Sequence, residues 1–336
     1  MTLLENEGPQ PAPPGVLPPL SAGGPAPSAT CQTTLATRVR CSGVGLHSGT
    51  DVRMVLRPAP ADSGIAFRRI DLPGQPLIPA RWDHALDSPL CSALGCGTTR
   101  VATVEHLLSA FAGTGVDNAL VDLDGPELPI MDGSASPFVF LIACAGRQVQ
   151  TAPRRALRID RPVRVRDGLR EVRLAPSAPG TTPDGLSVAF RIDFASPAIA
   201  RQSCTLALGS ASYTREVARA RTFGFLDEVD RLRAAGLARG GSLDNAVVID
   251  GDRVLNAGGL RYPDEFVRHK VLDAIGDLYL AGAPILGRYT GVRAGHALNL
   301  RLLQTLFATP DAATWVDAPA GATPETTATP QVAALA

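Results

Sequence analysis

The order of strand-like and helix-like segments predicts a mixed fold of the α+β class. Apolar, strand-like segments such as NALVDLD, LRIDRPVRVRDG and LSVAFRIDF alternate with helical stretches around residues 101–112, 212–220 and 264–281. This order lacks the regular strand–helix–strand rhythm of a doubly wound parallel sheet, so α+β describes it better than α/β.

Length and composition divide the chain into two domains and two tails. At 336 residues there is room for about two domains, and the TAPRR segment near residues 150–156 marks a boundary. We expect α+β domains over 31–153 and 154–312. Residues 1–30 hold eight prolines, four glycines and no basic residue, which predicts a disordered extension rather than a signal peptide. The similar Ala, Pro and Thr bias of residues 313–336 predicts a flexible tail.

Charge, cysteine usage and apolar runs exclude several classes of protein. The formal net charge is zero, so no basic excess exists to replace counterions on a nucleic acid. Six cysteines without framework spacing indicate a reducing compartment, and we expect a cytoplasmic protein. No apolar run approaches the roughly 18–20 residues that a membrane-spanning helix needs.

The string TTRVATVEHLLSAFAG predicts an amphipathic helix that carries a carboxylate and an imidazole. Thr98 or Thr99 can cap its start, and Gly113 can end it. His106 lies opposite the apolar side, with Glu105 beside it. The predicted buried arc consists of Val101, Val104, Leu107, Leu108 and Phe111.

The string FVRHKVLDAIGD predicts a second helix with one polar stripe. His269, Asp273 and Asp277 follow each other at four-residue steps and therefore share one face. The apolar residues Val267, Val271, Ala274, Ile275 and Leu278 fall on the other side, at about 100° of rotation per residue. A solvated polar face is the alternative interpretation of such a stripe.

Lys270 lies in the same string and is the only lysine among 32 basic residues. Almost every cationic residue of the chain is arginine, so a lysine at this position stands out. Its compact ammonium fits a crowded site in which the planar guanidinium of arginine cannot replace it. The alternative is a lysine left by codon bias.

Together the two helices offer a set of metal ligands. Two histidines and one aspartate, His106, His269 and Asp273, suit zinc and leave a fourth position open, as catalytic sites do. Glu105 is then a spare carboxylate. His296, in AGHALN, has two nearby glycines and no obvious helical setting, so we expect it on a loop or at a strand end.

Several strings, in order along the chain, carry a resemblance to a known family. They are GVGLHSG, TVEH, PELPIMDGSASPFV, RARTFGF, GGSLDNAVV, LRYPDEFVRHKVLDAIGDLYL and GHALN, which together span about residues 31–310. In these strings the chain resembles the UDP-3-O-acyl-N-acetylglucosamine deacetylases, zinc-dependent enzymes of lipid A biosynthesis. The resemblance implies two similar domains, each with helices packed on a sheet, and a Zn²⁺ site at the domain interface.

The resemblance also implies roles for single residues. His106, His269 and Asp273 would be the zinc ligands, and Glu105 the general base for attack on the N-acetyl carbonyl, which releases acetate. Thr222 would stabilise the carbonyl oxygen. His296 would act as an imidazolium held by Asp277. Either Glu105 or His296 would deliver the proton to the leaving amine. Both schemes predict a bell-shaped pH profile.

The nucleotide-sugar acyl lipid precursor would be bound by a second group of residues. Lys270 would meet the diphosphate, Phe223 and Phe225 would lie near the sugar and nucleotide, and His47 would lie on the substrate side. Core packing is the alternative for the two phenylalanines, and a polar cap in a glycine-rich turn is the alternative for His47. We expect a monomer, with at most weak association with a membrane surface.

Two other functions are compatible with these residues. The first is a zinc hydrolase of another N-acylated sugar or nucleotide sugar. The second is a non-catalytic, zinc-stabilised binding protein, which predicts a closed four-ligand metal site and no loss of function in Glu105→Gln.

Overall fold

The order of elements in the structure, a computed structural model, repeats once along the chain. The structure describes residues 31–88, 90–178 and 185–318. The first repeat contains β1 (Cys31–Leu35), β2 (Val39–Val44), β3 (Asp51–Pro58), β4 (Ile65–Arg69), β5 (Leu77–Pro79), β6 (Ala85–Leu86), β7 (Ala93–Cys96), β8 (Thr99–Ala102), α1 (Glu105–Thr114), β9 (Ala119–Leu123), α2 (Ser136–Ala145) and β10 (Arg147–Pro153). A short 3-10 turn at Trp82–His84 precedes β6.

The second repeat follows without a gap. It contains β11 (Arg155–Ile159), β12 (Val163–Asp167), β13 (Arg170–Ala175), β14 (Leu186–Asp193), β15 (Arg201–Ala207), α3 (Ser210–Glu216), β16 (Phe223–Phe225), α4 (Leu226–Ala234), β17 (Val247–Asp250), β18 (Arg253–Val254), α5 (Glu265–Tyr279), β19 (Ile285–Val292), α6 (His296–Ala308) and β20 (Ala313–Asp317).

The main sheets of the two repeats have the same strand pairing. The first runs β2-β3-β9-β4-β5 and the second β12-β13-β19-β14-β15. Along these two five-strand paths the central pair is parallel, β9 with β4 and β19 with β14, and the other pairs are antiparallel. In the second sheet β19 also pairs in parallel with β11. The first and last strands of each repeat also pair antiparallel, β1 with β10 and β11 with β20. The predicted α+β class with two similar units is confirmed.

The repeats differ in the segment that precedes α1 in the first and α5 in the second. The first inserts a small antiparallel sheet, β6-β7-β8. The second inserts α3, α4 and the three-stranded sheet β16-β17-β18. These inserts supply backbone and side chains around the helices that follow them.

Helices α1 and α5 pack closely against each other and bring the two repeats together. A Cβ atom on Gly276 would lie 2.0 Å from the carbonyl oxygen of Glu105, so only glycine fits at this crossing. Nearly all of α5 is buried, and its apolar side contributes Val267, Val271, Ala274, Ile275 and Leu278 to the core, as predicted.

The predicted boundaries of the first helix are wrong. Residues Thr99–Ala102 form β8, and Thr103 has φ of +58°, which no helix continues through. The helix starts at Glu105, so neither threonine caps it, and its end is marked by Gly115 with φ of +75° rather than by Gly113. The predicted apolar arc is nevertheless fully buried.

Other predictions fare differently. The helix predicted over 264–281 is confirmed as α5, and the helix predicted over 212–220 is a shorter α3. The expected flexible tail is wrong for residues 313–317, because β20 pairs along its length with β11. The expectations for residues 1–30 and 319–336 lie outside the described residues. Among the described helices, none has the length and apolar content to cross a membrane.

Candidate metal centre

The crossing of α1 and α5 brings three potential metal ligands together. His106 is the second residue of α1, while His269 and Asp273 lie one turn apart on α5. One ligand atom from each lies within 4.8 Å of the other two. Asp273 Oδ1 is 3.3 Å from His269 Nε2 and 3.7 Å from His106 Nε2. The predicted set of three residues therefore converges on one point.

The hydrogen bonds around these residues leave the converging atoms free to bind a cation. His269 Nδ1 lies 3.0 Å from the carbonyl oxygen of Ala220, which fixes the proton on Nδ1 and the lone pair on Nε2. Asp273 Oδ1 is buried and has no hydrogen-bond partner among the described residues. An unpaired buried carboxylate oxygen is costly, and a bound cation would satisfy it.

The protonation states also suit a cation. Burial lowers the pKa of His106 to about 3, with a further contribution from His269. Burial would raise the pKa of Asp273, but the neighbouring His269 and Lys270 outweigh it and hold the pKa well below its ordinary value. At neutral pH the site thus presents neutral His106 and an ionised carboxylate, the forms that bind a metal.

Lys270 contacts the far side of the same carboxylate. Its Nζ lies 3.0 Å from Asp273 Oδ2 and 5.6 Å from the ring centre of Phe223, a cation–π distance. The lysine therefore occupies Oδ2 and leaves Oδ1 facing the two histidines.

Glu105 is the first residue of α1 and is 3 % exposed. Its Oε2 accepts a hydrogen bond of 3.1 Å from the backbone N–H of Ser92. Burial raises the pKa of Glu105 to about 8, and the charges of Asp273 and Asp277 add to this rise while His296 opposes it. This carboxylate has the environment of a proton acceptor that works near neutral pH.

His296 is held by Asp277. Its Nδ1 lies 3.0 Å from Asp277 Oδ2 and 3.1 Å from Oδ1, so Nε2 points away, 4.0 Å from Glu105 Oε1 and 3.8 Å from Asp273 Oδ2. Burial would lower the pKa of His296, but the carboxylates of Asp277, Asp273 and Glu105 outweigh it and raise the pKa to about 10. The ring is therefore an imidazolium at neutral pH.

The expected loop setting of His296 is wrong. The residue opens α6, directly after the N-cap Gly295. The sequence around His296 does not indicate a helix, because Gly291 and Gly295 lie nearby and the apolar residues of the buried side begin only at Leu298.

Asp277 has further partners that the sequence analysis missed. Its Oδ2 accepts a bond of 2.8 Å from Asn299 Nδ2, whose Oδ1 accepts one of 2.6 Å from Tyr289 Oη. Its Oδ1 accepts a bond of 2.5 Å from Ser92 Oγ. Asn299 lies three residues after His296, one helical turn, and this spacing could have identified it; nothing in the sequence links Ser92 to Asp277.

Thr222, Phe223 and Phe225 lie on one segment beside α5. The backbone N–H of Thr222 donates to Gly133, and its carbonyl accepts from Val247. Phe223 packs edge-on against Phe266 and lies 6.4 Å from the ring of His269, between ring centres. Phe225, half-buried, contacts Phe194 at 5.9 Å between ring centres. The two phenylalanines thus pack with other aromatic rings, and Phe223 is the one that lies beside His269.

His47 is held by its backbone and not by its ring. Its N–H donates to Glu127 Oε1 at 2.8 Å, and Ser48 N–H donates to Oε2 at 2.8 Å. Both ring nitrogens of His47 are buried without a hydrogen-bond partner among the described residues. Burial lowers the pKa of His47; the charge of Glu127 opposes the effect and that of His296 adds to it. The side chain that caps this turn is therefore Glu127 and not His47.

A cleft of about 520 Å³ opens beside Lys270. Its walls include Phe194, Arg170 and Arg293, and the exposed Leu169 lies at its edge. Arg170 and Arg293 are paired with Asp167 and Asp193, which line the same cleft. Cationic side chains next to an aromatic ring suit an anionic group attached to a flat ring.

The alternative of a solvated polar stripe on α5 is wrong. His269, Asp273 and Asp277 are each 2–3 % exposed and face α1 and α6. A buried set of two imidazoles and a carboxylate, with a second carboxylate and an imidazolium beside it, defines a class: metal-dependent hydrolases with the site between two packed helices.

Comparison with known proteins identifies the family. The chain belongs to the LpxC family, UDP-3-O-acyl N-acetylglycosamine deacetylase, whose family model matches residues 32–308. It is 54 % identical to the UDP-3-O-acyl-N-acetylglucosamine deacetylase of Acidithiobacillus ferrooxidans over 85 % of this chain and 93 % of that protein. The proteins of the same name from Anaeromyxobacter sp. and Xanthomonas euvesicatoria are 54 % and 49 % identical, over 83 % and 87 % of this chain and 89 % and 95 % of theirs.

Proposed function

We propose that this chain hydrolyses the N-acetyl group of UDP-3-O-acyl-N-acetylglucosamine, releases acetate, and so carries out a step of lipid A biosynthesis. The observation that carries the proposal is the meeting of three metal-ligand atoms, Glu105 and His296 in one buried cluster. The family and the names of the relatives point to the same substrate.

Zinc is the proposed ion, held by His106 Nε2, His269 Nε2 and Asp273 Oδ1. Two imidazoles and one carboxylate are a ligand set typical of catalytic zinc, and the unpaired Asp273 Oδ1 supports its use as a ligand. When bound there, zinc would supply a Lewis acid for the carbonyl and would make water more acidic.

Glu105 is the proposed general base. The rise in its pKa favours taking a proton from the attacking water, and the Ser92 N–H on Oε2 leaves Oε1 on the side of His296. Carboxylates with raised pKa values serve this purpose in other hydrolases.

His296 and Thr222 are the proposed stabilisers of charge. Asp277 keeps His296 protonated, and the imidazolium Nε2 can donate to the developing oxyanion or to the leaving amine. Thr222 lies between Ala220 and Phe223, which both contact His269, and this position supports a role at the carbonyl oxygen.

Lys270 and the neighbouring cleft are proposed to bind the nucleotide-sugar end of the substrate. The ammonium of Lys270 and the guanidinium groups of Arg170 and Arg293 can accompany a diphosphate, and the cleft is large enough for part of a nucleotide. Phe223 and Phe225 are proposed to contact the sugar and nucleotide from the adjacent segment, and the unpaired ring of His47 to donate to the substrate.

The proposal extends to the organisation and location of the protein. We place the domain boundary between residues 153 and 154, where β10 gives way to β11. All six cysteines are free, which favours a reducing compartment such as the cytoplasm. We propose a monomer.

The test is turnover of UDP-3-O-acyl-N-acetylglucosamine by wild type and Glu105→Gln, with zinc content measured on the same samples. We expect wild type to release acetate, and the variant to keep its zinc while kcat falls by about 100-fold or more, since a general base contributes on this scale. His84→Gln, on a histidine outside the cluster, serves as the control and should keep full activity.

Two results would contradict the proposal. A zinc-loaded wild type that does not release acetate would exclude this substrate. A Glu105→Gln variant with full turnover would remove Glu105 from the reaction and favour a metal site that only stabilises the protein.

A further inference from the structure

Ser92 is the only described residue that bonds to both Glu105 and Asp277. It precedes β7, in the small sheet inserted in the first repeat, and is 8 % exposed. Its backbone N–H donates to Glu105 Oε2 at 3.1 Å, and its Oγ–H donates to Asp277 Oδ1 at 2.5 Å. The two carboxylates belong to helices of different repeats.

A third bond fixes Ser92 to the start of α1. Its carbonyl oxygen accepts a hydrogen bond of 3.2 Å from Val104 N–H, one residue before Glu105. This bond satisfies one of the backbone N–H groups that a helix start leaves unpaired, which matters because no side chain of the described residues caps α1. The backbone of Ser92 therefore sets the first turn of α1, and its side chain is directed to α5.

The hydroxyl of Ser92 can donate only one proton, and Asp277 receives it. An ionised carboxylate accepts and does not donate, so the direction of this bond is settled. With Asn299 on Oδ2 and Ser92 on Oδ1, the Asp277 carboxylate is held from two sides, in the orientation in which His296 Nδ1 bonds it. Freeing one side would let the carboxylate rotate and carry the imidazole with it.

We propose that Ser92 is a positioning residue, which fixes the position of Glu105 in the first repeat relative to the Asp277–His296 pair in the second. This inference rests on the proposed function. The structure does not bring Ser92 to Lys270 or to the cleft beside it, so its effect should fall on the chemical step and not on substrate binding. Outer partners of this kind typically change activity by about 10- to 100-fold.

The test compares Ser92→Val with Ser92→Thr. These two side chains have nearly the same shape and both add a methyl group, but only threonine keeps the hydroxyl. We expect Ser92→Val to lower kcat by about 10-fold with KM within about 2-fold of wild type, and Ser92→Thr to restore most of kcat. Ser88→Ala is the control, because Ser88 lies in the same segment and contacts Cys91 at 3.7 Å instead of the two carboxylates.

Equal kcat values for the valine and threonine variants would overturn the proposal, because the hydroxyl would then have no effect. A rise in KM with kcat unchanged would also overturn it, since Ser92 would then act on binding.

A second measurement does not depend on activity. The shifts in urea midpoint of Ser92→Val, Asp277→Ala and the double variant should be non-additive, because each single change removes one partner of the same hydrogen bond. If wild type released no acetate while the midpoints were non-additive, the proposed function would fail and the Ser92–Asp277 bond would stand. Additive midpoints overturn the inference whatever the activity.

Discussion

Glu105 and Glu265 occupy the same place in the two repeats, as the first residue of α1 and the first residue of α5. Both carboxylates are buried, at 3 % and 0 % exposure. Glu265 accepts a bidentate pair from Arg221, at 2.9 and 3.0 Å, and two backbone N–H bonds. Among the described residues, Glu105 has one backbone N–H bond and no arginine partner, and the charged groups around it are carboxylates and a histidine.

The two environments move the pKa values in opposite directions. Burial would raise the pKa of Glu265, but the hydrogen bonds from Arg221 outweigh it and the pKa lies below its ordinary value. Burial raises the pKa of Glu105 to about 8. One framework position thus gives a carboxyl group with a lowered pKa in one repeat and a carboxyl group with a raised pKa in the other, and the presence of an arginine decides which.

The largest effect is expected from the ligands that each repeat supplies. His106→Ala and His269→Ala each remove one of the three proposed ligand atoms, so affinity for the proposed zinc ion should fall by more than about 100-fold in both, with loss of activity. Zinc content after dialysis against a chelator measures this. If one variant kept its zinc, the two repeats would not share the metal.

Glu265→Gln tests the structural side of the comparison. Removing one partner of a buried, hydrogen-bonded ion pair costs about 3 kcal/mol of unfolding free energy at pH 7. In the metal-free protein, Glu105→Gln should cost nothing, because no cation is left unpaired. Urea unfolding of the two variants measures the difference, and equal losses would contradict it.

The effect of Glu265→Gln should depend on pH. A carboxyl group with a lowered pKa in the folded state stabilises above its unfolded pKa, about 4.3, and this stabilisation is lost as the pH falls through the folded value. The stability gap between wild type and variant should therefore be full at pH 7 and shrink below about pH 4. A constant gap would mean that the ion pair does not cause it.

Gly276→Ala tests the crossing that brings the two glutamate helices together. The added Cβ would meet the backbone carbonyl of Glu105, which cannot move without shifting the start of α1. We expect a loss of about 2 kcal/mol, as for other overpacked cores, together with reduced zinc affinity. Gly258→Ala is the control, since nothing lies within 4 Å of its position. Unchanged affinity for the proposed zinc ion in Gly276→Ala would show that α1 and α5 can shift at the crossing without moving the proposed ligands.

Sequence alone could predict one part of this site and not the other. The spacing of His269, Asp273 and Asp277 at every helical turn predicts that they share a face. Glu105 and His106 stand out as adjacent polar residues in an apolar helix. The sequence does not predict the start of α1, because the burial of Val101 and Val104 fits both a longer helix and the observed strand and turn. Ser92 and Asp277 are 185 residues apart, and only the folded chain shows their bond.

The smallest effect is expected where the insert of the second repeat contacts the first. Tyr213 of α3 packs its ring onto Gly113 of α1, and its Oη donates to Ser109 Oγ at 2.9 Å in the buried interior. Tyr213→Phe keeps the ring and removes one buried hydrogen bond, so unfolding free energy should fall by about 1 kcal/mol. Tyr262→Phe removes an exposed hydroxyl bond to Arg215 and should cost less. Equal costs for the two variants in urea unfolding would mean that the contact between α3 and α1 depends on the aromatic ring of Tyr213 alone. Affinity for the proposed zinc ion should be unchanged in both variants, because neither tyrosine contacts the three proposed ligands.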